Sequence, residues 1–162
     1  MLPICKAVSA VFLGCVLTLL PSLGYGSPLI EDLNGTQISM DSLAGKWVFI
    51  NYWASWCAPC VAEIKELNRF YAVNQEANNV ALFAVNYEGL PLAEQRELTQ
   101  QFHIHYPSLN LKSLSSIHLG NVEVVPVTYV FDPKGNLVTT LYGGQTHRAL
   151  QALVTNRIDA KS

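Results

Sequence analysis

Two cysteines separated by two residues, Cys57 and Cys60, interrupt the chain between an apolar stretch, Trp47 to Trp53, and a stretch of helical periodicity, about Ala58 to Asn74. This pattern predicts a strand, a short turn and a helix, with both cysteines at the start of the helix. Free backbone N–H groups and the positive end of the helix dipole stabilise a thiolate there, and the thiolate is the reactive form of cysteine. The sequence therefore predicts a thiol–disulfide exchange site.

Two other interpretations of the pair are weaker. Zinc requires four ligands, and the only other cysteines, Cys5 and Cys15, lie far upstream in an apolar leader, while His103 and His105 have a poor zinc-finger spacing. A purely structural disulfide would close a loop of four residues, which constrains the unfolded chain very little.

The chain has 162 residues, half of them hydrophobic, and a formal net charge of −2. These values predict a single globular domain rather than a disordered chain. The ten Lys and Arg residues are scattered and form no basic stripe, so nucleic-acid binding is not expected.

The first 26 residues have the organisation of a signal peptide. Lys6 precedes an apolar run from Ala7 to Leu20, and the small-x-small sequence Gly24-Tyr25-Gly26 stands before Ser27. We therefore divide the chain into a leader, residues 1–26, and a folded domain, residues 27–162. Cleavage would remove Cys5 and Cys15 and leave Cys57 and Cys60 as the only thiols.

Two alternatives keep the leader attached. The 17 residues from Ile4 to Leu20 are at the lower limit for an uncleaved membrane anchor. Phe12-Leu13-Gly14-Cys15 weakly resembles a bacterial lipobox, although the apolar run continues past Cys15. All three interpretations predict a periplasmic or otherwise extracytoplasmic domain.

Hydrophobic patterns and turn residues predict the remaining elements. Leu29 to Ile38 is predicted to be a hairpin with a primed two-residue turn at Asn34-Gly35. On the first long helix, Val61, Ile64, Leu67 and Val73 share the predicted apolar face, and the helix from Leu92 is predicted to expose Glu94, Gln95, Arg96 and Glu97. The other expected elements are strands at residues 80–86, 127–131 and 137–141, helices at 92–102 and 146–157, and a short helix ending with Ile117 to Gly120. This order predicts an α/β sandwich with a mixed sheet.

The chain resembles the extracytoplasmic thioredoxin-like reductases of the TlpA/ResA type. The resemblance covers about Leu29 to Arg157. Its motifs are the run from Asn51 to Cys60 (NYWASWCAPC), the acidic Glu63 three residues later, and Val125-Pro126-Val127-Thr128 ahead of a strand and an Asp-Pro-x-Gly turn. It implies a thioredoxin-like three-layer sandwich with a mixed central sheet, flanking helices and an N-terminal β-hairpin extension. Many relatives carry a proline at the position of Lys65, and that proline would kink the helix. Because Lys65 stands here, the kink is not predicted for this chain.

The resemblance also implies roles for individual residues. Cys57 would be the exposed nucleophile, Cys60 the buried resolving thiol, and Pro126 a cis-proline whose preceding residue, Val125, pairs with the substrate backbone. The expectation for Pro126 also agrees with the low cost of the cis form at X–Pro bonds. Trp53 and Trp56 are expected to pack and shield the site, with Trp56 also contacting substrate.

Glu63 is the third catalytic candidate. It follows Cys60 by three residues, so both lie on one face of the helix. A carboxylate near the sulfurs would raise the thiol pKa and could accept the proton of Cys60 during exchange. The alternative is a surface glutamate, which is the expectation for Glu66, as His118 and His147 are expected to be surface or capping histidines.

The predicted activity is a thiol–disulfide oxidoreductase that reduces disulfides of substrate proteins and needs no metal or organic cofactor. The resemblance implies a membrane thiol donor and a periplasmic client such as an apocytochrome c with a disulfide in its C-x-x-C-H motif. An oxidase or isomerase on the same fold remains open, with Pro59 weakly favouring a reductase. No P-x-x-x-T-x-x-C pattern supports a peroxiredoxin, and no Met or His cluster supports a Cu(I)-binding assembly module.

Overall fold

The computed structural model describes residues 27–159. The leader and the last three residues lie outside the described residues, and so do the predictions of a signal peptide, an anchor and a lipobox. Within residues 27–159, no helix is both long enough and apolar enough to cross a bilayer.

A five-stranded mixed sheet forms the centre of the domain, with strand order β5-β4-β3-β6-β7. β3 runs parallel to β4 and antiparallel to β6, and β7 pairs antiparallel with β6 at the edge. The strands of this sheet are β3 (Trp47–Trp53), β4 (Val80–Asn86), β5 (Ser108–Leu109), β6 (Val127–Phe131) and β7 (Leu137–Tyr142). The short β5 was not predicted from the sequence, since two residues give no measurable periodicity.

Every residue of β3 is buried because this central strand is covered on both faces. On one face, its side chains pack with those of two helices, α1 (Ala58–Asn74) and α3 (His147–Asp159), and with Leu98 and Phe102 at the end of α2 (Leu92–Gln101). The other face packs against the N-terminal hairpin, β1 (Leu29–Glu31) and β2 (Gln37–Ser39), and a 3₁₀ helix, Leu111–Ile117. The predicted three-layer sandwich is therefore confirmed.

The hairpin is confirmed, but its predicted turn is wrong. Five residues connect the two strands, and the tight turn runs from Asp32 to Gly35, whose N–H donates to the Asp32 carbonyl at 3.1 Å. The Asp32 carboxylate accepts the N–H groups of Asn34 and Thr36, each at 2.8 Å, and Leu33 is buried. Asn34-Gly35 therefore falls one position later in the turn than a primed two-residue turn requires.

Two helix faces also differ from the prediction. Val73 is exposed, and Phe70 occupies the buried position on α1. On α2, Glu94, Arg96 and Glu97 are exposed as expected, whereas Gln95 is buried and donates its amide to the Leu90 carbonyl at 2.6 Å. The backbone carbonyl satisfies the Gln95 amide nitrogen, whereas its Oε1 is buried without a partner among the described residues. The pattern of polar residues does not indicate such a contact.

Candidate active site

Cys57 and Cys60 form a disulfide at the N-terminus of α1. Cys57 is the N-cap residue, and its Sγ accepts the backbone N–H of Cys60 at 3.3 Å. This donor is one of the amides that the first turn of a helix leaves without an intrahelical partner. Pro59 removes another such amide without loss, because a proline in the first turn has no N–H to satisfy. The start of the helix is thus arranged to stabilise negative charge on Cys57.

The segment before β6 covers the disulfide. The Val125–Pro126 peptide bond is cis, as expected, and the Val125 carbonyl oxygen lies 3.7 Å from Cys57 Sγ. The Pro126 carbonyl accepts the N–H of Gly143 at 2.9 Å, which ties this loop to the end of β7. Val125 is half-buried beside the sulfur.

The two cysteines differ less in solvent exposure than expected. Cys57 retains 5% of its surface and Cys60 none, so the expectation of an exposed nucleophile is wrong in degree. The Val125–Pro126 loop lies against Cys57, with the Val125 carbonyl oxygen 3.7 Å from its Sγ. Trp56 is 68% exposed and does not pack, contrary to one expectation, whereas Trp53 is buried in a T-shaped contact with Phe102.

Glu63 lies on the buried face of α1 and retains 4% of its surface, so the surface alternative is wrong. Its Oε1 accepts the Asn51 amide Nδ2–H, and its Oε2 accepts the backbone N–H of Gln145, both at 2.8 Å. Burial raises the pKa of Glu63 above its ordinary value, and the hydrogen bonds from Gln145 and Asn51 oppose that rise without cancelling it. A buried acid with a raised pKa, one helical turn beyond Cys60, is suited to accept and return a proton.

The loop that bonds to Glu63 approaches α1 closely. A Cβ at Gly144 would stand 3.6 Å from the Pro59 carbonyl oxygen and 3.7 Å from Glu63 Cβ. One turn along α1, Glu66 Oε2 binds both the backbone N–H of His147, at 3.1 Å, and its Nδ1, at 2.6 Å. Hydrogen bonds to His147 hold the pKa of Glu66 below its ordinary value. Glu66 is therefore a half-exposed partner of the α3 N-terminus rather than a free surface residue.

Glu88 organises the turn between β3 and Cys57, and sequence reasoning did not identify it. Its carboxylate accepts the Ser55 backbone N–H at 2.8 Å, the Ser55 hydroxyl at 2.9 Å and the Asn86 amide at 2.8 Å. Burial would raise the pKa of Glu88, but the hydrogen bonds from Ser55 and Asn86 outweigh it and hold the pKa below the ordinary value. No local pattern could have predicted this contact, since Ser55 and Glu88 are 33 residues apart.

Asn51 and Thr128 are buried side chains that connect to Glu63 through hydrogen bonds. Neither was identified from the sequence as a functional candidate. They are opposite each other in the β3–β6 pairing, and Asn51 Nδ2 lies 3.0 Å from Thr128 Oγ1. Both belong to the motifs that carry the resemblance, and a polar residue in the middle of a buried strand was the available signal. His118 lies apart as the exposed C-cap of the 3₁₀ helix, in agreement with its expected capping role.

The model of the AhpC/TSA family matches residues 27–140. Among curated proteins, the chain is 28% identical over 123 residues to the thiol-disulfide oxidoreductase ResA of Bacillus cereus, covering 76% of this chain and 70% of the relative. It is 29% identical over 123 residues to ResA of Halalkalibacterium halodurans, covering 76% and 69%.

Solved structures of other proteins share the fold. StoA from Bacillus subtilis superposes with a TM-score of 0.63 at 21% identity, covering 80% of this chain and 98% of StoA. A secreted thiol-disulfide isomerase from Corynebacterium glutamicum gives a TM-score of 0.66 at 22% identity, covering 80% and 81%. At these identities, the structural similarity shows the fold alone.

Proposed function

The chain belongs to the AhpC/TSA family of thioredoxin-fold proteins, and from that premise we propose that it reduces disulfides of extracytoplasmic substrate proteins through Cys57 and Cys60. It is a thiol–disulfide oxidoreductase, as its curated relatives are. The observation that carries the proposal is the Cys57–Cys60 disulfide at the N-terminus of α1, with the carbonyl before a cis-proline 3.7 Å from Cys57 Sγ.

In the reduced enzyme, the Cys57 thiolate attacks one sulfur of a substrate disulfide. A bond forms between Cys57 and the substrate, and the second substrate sulfur leaves as a thiolate that takes up a proton. Cys60 then loses its proton and attacks Cys57, so the mixed disulfide breaks and the first substrate sulfur leaves. Two electrons have passed from the enzyme dithiol to the substrate, and the enzyme holds the Cys57–Cys60 disulfide.

Glu63 accepts the proton of Cys60 in the second step. Cys60 has no exposed surface, so solvent water does not reach its thiol directly, and Glu63 lies one helical turn away on the same buried face. Its raised pKa brings proton uptake closer to neutral pH.

Trp56, Val125 and Pro126 bind substrate. Trp56 is a large exposed aromatic side chain directly before Cys57, and the Val125 carbonyl oxygen lies 3.7 Å from Cys57 Sγ. An extended substrate segment between them would bring its disulfide to Cys57 and pair its backbone with Val125. Aromatic side chains that remain exposed next to a reactive group are common anchors in protein interfaces.

The composition of the leader supports a location outside the cytoplasm, either as a cleaved secreted domain or tethered by an uncleaved N-terminal anchor. In an oxidising compartment, a reductase needs a supply of electrons, so we include a membrane thiol donor among its partners. For the client, we propose a protein with a C-x-x-C-type disulfide, such as an apocytochrome c, on the resemblance to the TlpA/ResA type.

A trapping experiment tests the function. Cys60→Ser cannot resolve the mixed disulfide, so in the native compartment this variant should accumulate covalent complexes that dissolve in reductant, and mass spectrometry then identifies the client. The matched control, Cys57→Ser, keeps the fold and one thiol but lacks the nucleophile and should trap nothing. Equal trapping by both variants would overturn the proposed roles.

The reduction potential distinguishes a reductase from an oxidase or isomerase. A reductase should equilibrate well below about −180 mV, the value typical of a disulfide isomerase, because its disulfide form must be the stable one. A potential near about −120 mV would instead indicate an oxidant.

A further inference from the structure

Asn51 lies in the middle of β3 and is 1% exposed. Its side-chain nitrogen has two N–H groups, and each has a partner: Glu63 Oε1 at 2.8 Å and Thr128 Oγ1 at 3.0 Å. Rotating the amide by half a turn would place its oxygen against the Glu63 carboxylate and break that contact, whereas the Thr128 hydroxyl could donate to the oxygen instead. The Glu63 carboxylate therefore fixes the orientation of the amide, with the N–H side toward Glu63.

Both hydrogen-bond partners of the Glu63 carboxylate are donors. The Asn51 Nδ2–H group and the Gln145 backbone N–H can only donate, and they occupy one oxygen each. A neutral carboxylic acid would have to direct its own O–H toward an acceptor, and neither partner is one. This arrangement favours the carboxylate and opposes the burial that favours the neutral acid.

We propose that Asn51, held in place by Thr128, is a positioning residue that keeps Glu63 in its carboxylate form and holds its Oε1 in a fixed place. The inference rests on the proposed function, in which Glu63 receives the proton of Cys60. Asn51 itself touches neither the substrate nor the sulfurs in this role. It acts by determining whether the buried base is ready to accept a proton at the pH at which the enzyme works.

Other ionisable groups around Glu63 do not replace this contribution. The two cysteines at the start of α1 form a disulfide in this state and carry no charge. Tyr106 is buried, and its hydroxyl has no hydrogen-bond partner among the described residues; burial, and then the Glu63 charge, raise its pKa, so it remains neutral. One turn along α1, the Glu66 carboxylate is hydrogen-bonded to His147 rather than to Glu63.

Direct titration of Glu63 tests the inference without relying on activity. Carboxyl ¹³C NMR of the oxidised full-length protein follows the Glu63 side chain while the cysteines cannot titrate. In Asn51→Leu, which removes the donor with little change in volume, the titration midpoint of Glu63 should rise by about one to two pH units. That is the shift expected from loss of one hydrogen bond to a charged group.

Asn74→Leu is the matched control. Asn74 is also a buried asparagine with two partners for its Nδ2, the Phe70 carbonyl at 2.8 Å and Gln151 Oε1 at 2.9 Å, but it lies at the far end of α1. Its replacement disturbs packing to a similar extent and should leave the Glu63 midpoint unchanged. An unchanged midpoint in Asn51→Leu, or an equal rise in Asn74→Leu, would overturn the inference.

Thr128 variants provide the second test, which decides the question if Asn51→Leu does not fold. Thr128→Val keeps the shape of the side chain but removes the hydroxyl that holds the amide in place, so the Glu63 midpoint should rise, by less than in Asn51→Leu. Thr128→Ser keeps the hydroxyl and should restore the wild-type midpoint. A wild-type midpoint in Thr128→Val would reject the inference.

Failure of the inference is distinguishable from failure of the proposed function. If Glu63→Gln exchanges disulfides at the wild-type rate, Glu63 is not the base, whatever its titration shows. If Glu63→Gln is slow but the Glu63 midpoint ignores Asn51, the base is correct and its positioning by Asn51 is wrong.

Discussion

At the residue scale, Cys57 and Cys60 differ because of their places in one helical turn. Cys57 is the N-cap, its sulfur receives the N–H of Cys60, and it keeps a small exposed surface beside Val125. Cys60 lies inside the helix with no exposed surface. The two thiols are the same chemical group, and their positions in the backbone give them different roles.

Alkylation of the reduced protein at mildly acidic pH should therefore label Cys57 well before Cys60. The helix N-terminus stabilises the Cys57 thiolate, and only the thiolate reacts at an appreciable rate. Time-resolved alkylation followed by peptide mass spectrometry measures both rates. Equal rates at the two positions would contradict the assignment.

The Glu63→Gln variant tests the effect of Glu63 on the thiol pKa and on the rate of disulfide exchange. Removing the charge should lower the thiol pKa, because the carboxylate repels the thiolates, and should slow disulfide exchange, because the base is lost. Thiolate absorbance against pH and exchange kinetics measure these effects. If both match the wild type, the acid–base role is wrong.

The raised pKa of Glu63 also predicts how stability depends on pH. Between the ordinary glutamate pKa of about 4.3 and the higher folded value, the folded state binds more protons than the unfolded state, so wild-type stability should fall as pH rises through that window. Glu63→Gln should lack this decline. Denaturant unfolding at a series of pH values compares the two proteins, and parallel profiles would exclude the effect.

At the element scale, the turn between β3 and α1 is held by a carboxylate from the neighbouring strand end. Glu88 follows β4, which lies parallel to β3, so the carboxyl ends of both strands meet at the same edge of the sheet. Its three hydrogen bonds to Ser55 and Asn86 fix the segment that leads into Cys57. Strand pairing thus positions the active-site turn.

Glu88→Ala should destabilise the protein by roughly 1–3 kcal/mol at neutral pH, because it leaves the Ser55 donors without their charged acceptor. The folded pKa of Glu88 lies below its ordinary value, so this contribution is present above the ordinary pKa and is lost as pH falls through the folded one. The difference from wild type should accordingly shrink in acid, in denaturant unfolding at neutral and at low pH. Glu94→Ala, at an exposed position on α2, is the control. An equal loss of stability in both variants would show that the hydrogen bonds from Ser55 to Glu88 do not stabilise the protein.

At the scale of the whole molecule, the domain begins with a hairpin that is packed into the fold. Ile30 of β1 is fully buried in the core on the hairpin side of the sheet, and the Glu31 carbonyl accepts the Asn110 N–H at 2.8 Å. The hairpin from Leu29 onward is therefore part of the folded domain.

The leader should direct export of this domain. Fractionation of a tagged protein should recover it outside the cytoplasm, since a charged start, an apolar run and a small-residue site are the features that the secretion machinery reads. Intact mass or N-terminal sequencing then distinguishes a start at Ser27, at Cys15 or at Met1. A purely cytoplasmic pool would refute the prediction.

The sequence by itself determined the long elements and the pair of cysteines. Four elements begin and end at the predicted residues: β3, α1, β4 and β6. The first three contain seven or more residues of apolar or helical periodicity, which carry enough local information to set their bounds. The shorter β6 is bounded by a proline and by turn residues. The position of Cys57 ahead of a helix also follows from local order alone. So does the Asp-Pro-x-Gly turn, where Gly135 adopts φ +82°.

Only the tertiary structure decided the surroundings of the thiols. Glu63 is buried because α1 packs its face on the sheet, and its partners, Asn51 and Gln145, come from β3 and from the loop before α3. Glu88 reaches Ser55 across 33 residues, and Cys57 contacts the carbonyl of Val125, 68 residues away. Hydrogen bonds and contacts between distant segments leave no periodic trace in the sequence, because they depend on how the elements pack and not on which residues are neighbours in the chain.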